Sequence, residues 1–181
     1  MGDVSDQRTG SRRIDRIRDD AYVRDLDGLP LDDLRARRDD CLAEREYLSL
    51  LRRLVQGRAE ILRAELDARD AGEDRGPLVD RLAQILAGDE PAGGSRGEAV
   101  RVGVPEEEML LARRRIERLV ADAGISDPRS LDHEQLAAAV ELLATEEREV
   151  SGARSEVIRV LDTLQDELKR RYREDPTLVL S

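Results

Sequence analysis

The chain has 181 residues, 40% of them charged, a formal net charge of −10, three Tyr and neither Phe nor Trp. Without large aromatics its core must be built from Leu, Ile, Val and Ala, which suits helix seams and weighs against a thick sandwich or barrel. The acidic balance argues against nonspecific binding to a phosphate backbone. A single cysteine, Cys41, excludes an internal disulfide and a Cys-based zinc site, and a lone His133 weighs against a Ser-His-Asp triad.

Residues 1–20 are polar and rich in Gly, Ser, Asp and Arg, which predicts a flexible arm ahead of one helical domain over 21–174. Asp27-Gly28 and Pro30 punctuate a turn. From Leu31 to about Asp70 there is no Pro and only Gly57, so a helix is predicted over 31–70, about 60 Å long. Residues 71–77 break it. Residues 78–87 form a short amphipathic segment, and 88–105, with repeated Gly, reads as a mobile linker. Pro105 followed by Glu106, Glu107 and Glu108 starts a second short helix, to about Ala123, closed by Gly124. The last long helix is predicted over 132–173, opened by a capping box of Asp132 and Gln135 and stopped by Pro176, with 175–181 as a tail. The expected fold is all-α: a long antiparallel coiled-coil hairpin with two shorter helices in the connection, formed within a monomer. No apolar run reaches 18 residues and no signal-type segment opens the chain, so a cytoplasmic protein with no membrane partner is expected. No phosphate loop or metal cluster is visible, and no enzymatic activity is expected.

The two long segments resemble each other. Ser49 and Ser151 lie 102 positions apart, and at that offset Leu34 matches Leu136, Arg52 matches Arg154, Val55 matches Val157, and Leu62 matches Leu164. On a 3-4 repeat, Leu48, Arg52, Val55, Ala59, Leu62 and Leu66 share one face, as do Val150, Arg154, Val157, Leu161, Leu164 and Leu168. This places an Arg inside each seam, where it is costly unless paired or liganded.

A polar stripe flanks each seam: Ser49, Arg52, Gln56 and Glu60 on the first helix, and Glu147, Ser151, Arg154 and Asp162 on the last, with Ile158 interrupting. Hydroxyl, guanidinium, amide and carboxylate groups along one groove suit a guanine nucleotide, whose N1–H and N2–H₂ a carboxylate accepts while Arg takes a phosphate or the O6–N7 edge. The bland alternative is a solvated face on a helical scaffold or oligomerising coiled coil. Arg58 and Arg159 adjoin the stripes and are further candidates for phosphate contacts, with a solvent-facing Arg as the bland alternative. Cys41 reads as a small seam residue, His133 as exposed, and Tyr47 and Tyr172 as seam-edge packing, with base stacking a second role for Tyr47.

The segments S-L-L-R-R-L-V-Q-G-R-A-E over 49–60 and E-R-E-V-S-G-A-R-S-E-V-I-R-V-L-D over 147–162 resemble the two cyclic di-GMP signatures of the RsiG family of actinobacterial anti-sigma factors, with the pattern E-x3-S-x2-R-x3-Q-x3-D on each of two antiparallel helices. The resemblance implies a hairpin that binds two stacked cyclic di-GMP molecules and, when liganded, sequesters a WhiG-type sigma factor, with no direct DNA binding and no reaction catalysed. Carried over position by position, it implies ligand-binding roles for Ser49, Arg52, Gln56 and Glu60 (in place of Asp), and for Glu147, Ser151, Arg154 and Asp162. The chain departs from the family pattern at Arg45, which stands in place of Glu in the first copy and is a further candidate for a phosphate contact, and at Ile158, which stands in place of Gln in the second.

Overall fold

A computed structural model describes residues 8–71, 105–125 and 127–179, with side chains from residue 13 to residue 178. The described elements are helices α1 (Arg8–Arg18), α2 (Leu31–Asp70), α3 (Glu106–Asp122) and α4 (His133–Glu174), with 3-10 turns at Asp20–Tyr22, Leu26–Gly28 and Pro176–Val179. Among the described residues the fold is all-α, and α2 and α4 pack as a long antiparallel pair. The predicted segments over 78–87 and 88–104 lie outside the described residues.

The heptad repeat builds the seam. Leu34, Cys41, Leu48, Val55 and Leu62 recur every seven residues on α2, all buried. Leu136, Leu143, Val150, Val157 and Leu164 are their counterparts 102 positions later, also buried. The internal repeat is thus the ladder of the core itself. Cys41 is a fully buried seam residue, and burial pushes its thiol up to about 12.

The second row of the seam differs from the expectation. Leu51, not Arg52, is fully buried between Leu48 and Val55, while the Arg52 side chain is 42% exposed. Steps of three and of four from Leu48 both point inward, and the cover on one side decides between them. That side carries Glu44, seven residues before Leu51, and is covered by α1 and α3 through Arg13–Glu44 (2.6 Å) and Arg13–Glu108 (2.8 Å). Leu51 lies on the Glu44 side of the seam, and Arg52 lies on the other side, where it reaches Glu147 (3.4 Å). Arg154 likewise lies at the seam edge, partly buried.

The flexible arm expected over 1–20 is a helix from Arg8. Its apolar content is small, but Ile17 is buried against the core and Ile14 packs beside it. Arg13 reaches both Glu44 and Glu108, Arg16 pairs with Asp40 (3.2 Å), and Arg18 pairs with Glu156 (2.7 Å). Tertiary contacts of this kind order a helix too short to persist alone. Glu44 is 1% exposed; burial pushes its carboxyl above the usual range and the Arg13 pair opposes that shift.

The ends of the elements follow the local sequence. Asp132 accepts from the Gln135 amide (2.8 Å) and the Gln135 side chain accepts from the Asp132 amide (2.9 Å), which completes the capping box. At the end of α3, Gly124 has a positive φ of 67°; its N–H donates to Ala121 and that of Ile125 to Val120. This is a Schellman cap, and glycine adopts its left-handed geometry without a Cβ penalty.

Each end of the long pair is held by an arginine. Arg69 donates to the carbonyls of Leu131 (2.6 Å) and Pro128 (3.0 Å), which fixes the turn into α4. Arg171 donates to the carbonyls of Leu26 and Leu29, which fixes the turn into α2 beside the end of α4. Glu167 orients Arg170 and Arg171, and their guanidinium groups hold its carboxyl down at about 2.

Candidate functional site

The polar stripes of α2 and α4 face each other on the side of the hairpin away from α1 and α3. Gln56 Nε2 donates to Glu147 Oε1 at 2.6 Å, and Arg52 Nη2 reaches the same oxygen at 3.4 Å. Arg154 Nε donates to Ser49 Oγ at 2.9 Å, while that hydroxyl donates to the carbonyl of Arg45 at 2.7 Å. The structure therefore brings together Ser49, Arg52 and Gln56 from one helix with Glu147 and Arg154 from the other.

These bonds fix the register. Ser49 faces Arg154, and one heptad further along α2 Gln56 faces Glu147, one heptad back along α4. Three residues inward from each of the first pair, Arg52 and Ser151 occupy facing positions, and Ser151 is partly buried. The two central pairs are Ser opposite Arg, read in opposite directions, so the groove has a local two-fold character.

Glu60 and Asp162 lie on the same side, further out, and both are exposed. Arg58 does not join the stripe: two residues beyond Gln56 it is turned about 200° round the helix, and it is exposed on the other side of the seam. Arg45 binds Glu46 on its own helix at 2.7 Å. Tyr47 packs partly buried on the α1–α3 side, where burial raises its hydroxyl pKa, and so lies away from the stripe. His133 is exposed, 3.6 Å from Asp70.

The stripe offers the kinds of group that a planar, hydrogen-bonding anion can use. Glu147 supplies an acceptor, Arg52 and Arg154 supply charge and forked donors, and Ser49, Ser151 and Gln56 supply neutral donors and acceptors. Arg52 Nε is buried with no hydrogen-bond partner within the fold. The guanine nucleotide inventory therefore fits the residues present. Sequence spacing finds the stripe, but the pairing of Gln56 with Glu147 depends on the register, which spacing alone does not carry.

A separate cleft of about 880 Å³ lies on the opposite side, between α1, α3 and the long pair. Its charges are largely matched, with Arg18 bound to Glu156 and Arg115 to Glu146 at 2.7 Å each, and it contains none of the stripe residues. Among the described residues no group of three or more His, Cys, Asp or Glu side chains is placed to hold a metal ion. No described helix is long and apolar enough to cross a membrane.

A family model described as RsiG-like matches residues 20–86, a span that includes all of α2 and the first stripe. Over that span the chain is similar to RsiG-type regulators. No curated protein matches the chain.

Proposed function

We propose that this chain is a cyclic di-GMP-responsive anti-sigma factor that sequesters a WhiG-like sigma factor when liganded and catalyses no reaction. The observation that carries the reading is the facing of the two stripes: a doubled Ser-x-x-Arg pattern meets itself across an antiparallel groove, with Glu147 as its acceptor. The RsiG-like match over the helix that bears the first copy supports it. Ser49, Arg52, Gln56 and Glu60 would contact the nucleotide from one side and Glu147, Ser151, Arg154 and Asp162 from the other. Arg52 and Arg154 would hold phosphate or the O6–N7 edge, and Glu147 the donor edge of guanine.

A second reading, a helical scaffold with a polar layer, draws on the same bonds, since Glu147 and Ser49 already have partners within the fold. What weighs against it is the repetition of Ser-x-x-Arg at matching register on both helices, which a solvated polar layer does not require.

A nucleotide bridging α2 and α4 stabilises the closed pair by its differential affinity for that state. If the sigma factor prefers the same state, each ligand strengthens the other by one common factor. The test is sigma affinity with and without saturating cyclic di-GMP, for the wild type and for Arg154→Ala. Nucleotide tightens sigma binding in the wild type, and the variant retains its helicity while losing that effect. Sigma affinity indifferent to nucleotide in the wild type would refute the switch.

A further inference from the structure

The groove has a local two-fold at its centre but not at its ends. The central pairs, Ser49 with Arg154 and Arg52 with Ser151, match in residue type, although Arg154 donates to Ser49 while Arg52 turns to Glu147. Moving one step outward breaks the match. At one end Gln56 faces Glu147, joined at 2.6 Å. At the other end the same register sets residue 45 opposite residue 158, four positions beyond Ser49 and Arg154 respectively. Those residues are Arg45 and Ile158. The two places where one copy of the repeat differs most in chemistry from the other are thus facing positions, and the differences fall together at a single end.

We propose that the groove is one-ended: it recognises guanine through the Gln56–Glu147 end and not through the Arg45–Ile158 end, so that one cyclic dinucleotide binds per chain. The inference rests on the reading of this groove as a cyclic di-GMP site. At the first end a carboxylate can exchange its bonds to Gln56 and Arg52 for the N1–H and N2–H₂ donors of a base. At the second end a guanidinium offers only donors and an isoleucine offers neither donor nor acceptor. A guanine donor edge buried there stays unpaired, which disfavours binding. Arg45 is also drawn aside to Glu46 on its own helix.

Calorimetric titration of the full chain with cyclic di-GMP tests this directly. The wild type binds one equivalent. Gln56→Ala and Glu147→Ala weaken binding at least tenfold, while Arg45→Ala and Ile158→Ala change it less than twofold. Arg45→Glu combined with Ile158→Gln restores the second end and raises the stoichiometry to two. Circular dichroism on each variant separates loss of ligand from loss of helix. Two equivalents in the wild type, equal losses in Arg45→Ala and Glu147→Ala, or a double variant that stays at one would each overturn the one-ended groove while leaving the cyclic di-GMP reading standing. No binding by either the wild type or the double variant would remove the cyclic di-GMP reading and this inference with it.

Discussion

Replacing Arg13 with Ala strands Glu44, which is 1% exposed and bound to Arg13 at 2.6 Å. The variant has two ways out, and their costs decide the outcome. Glu44 can stay buried and take a proton. Against the ordinary value of 4.5 in the unfolded chain, a neutral Glu44 at pH 7 costs about 3.4 kcal/mol at about 1.36 kcal/mol per unit, however far burial raises its folded value. Alternatively α1 can detach and admit water, which forfeits the burial of Ile17, about 2 kcal/mol, and part of that of Ile14. The two routes are close, so the expected loss is about 2–3 kcal/mol, near the low end for breaking a buried pair. Urea denaturation followed by helicity at pH 7 and pH 5 measures it. If Glu44 is buried neutral, its folded pKa lies above its unfolded one, so the stability of the variant is greater at pH 5 and falls as pH rises. If α1 detaches, Glu44 is solvated at its ordinary value and the variant's own stability does not follow its titration. Glu44→Gln in the Arg13→Ala background recovers stability by removing the charge. A loss under about 1 kcal/mol, or no recovery with Gln, would show that the Arg13–Glu44 pair does not hold α1 to the hairpin.

Two further perturbations probe the hairpin. Leu51→Ala removes a fully buried side chain from the second row of the seam and costs about 2–5 kcal/mol in chemical denaturation, more than any alanine substitution at the half-exposed Arg52. The Glu167 carboxyl is held at about 2 by Arg170 and Arg171, below its ordinary 4.5. Its contribution is therefore complete above about pH 4.5 and is lost as pH falls toward 2, and Glu167→Gln flattens the acid limb of the stability–pH profile in that window.

The long pair was legible in the sequence because its signal is local and repeated. Leu34, Cys41, Leu48, Val55 and Leu62 announce the seam by spacing alone, and the match 102 positions later announces its partner. The choice between Leu51 and Arg52 was not legible, since both fit the repeat and only the cover supplied by α1 and α3 decides it. The helix α1 was hidden for a related reason. Its order comes from Glu44 and Glu108, partners 31 and 95 positions away, while its own residues read as polar. In the site, helical angle gathers the stripe residues, whereas Arg58, near them in sequence, stands about 200° round the helix from Gln56 and on the other side of the seam. The meeting of Gln56 with Glu147, and of position 45 with position 158, required the register.

A pair of helices usually frays from its tips, but here both tips are pinned, by Arg69 on the carbonyls of Pro128 and Leu131 and by Arg171 on those of Leu26 and Leu29. The hairpin thus behaves as a beam clamped at its two supports, and its easiest excursion is displaced to midspan. Gly152 sits near the middle of α4 and Gly57 beyond the middle of α2, each where an added Cβ would meet nothing within 4 Å, and each softens its helix by about 1 kcal/mol relative to alanine. The facing stripes occupy the same stretch. A molecule that parts the helices is therefore expected to do so at midspan rather than at the tips.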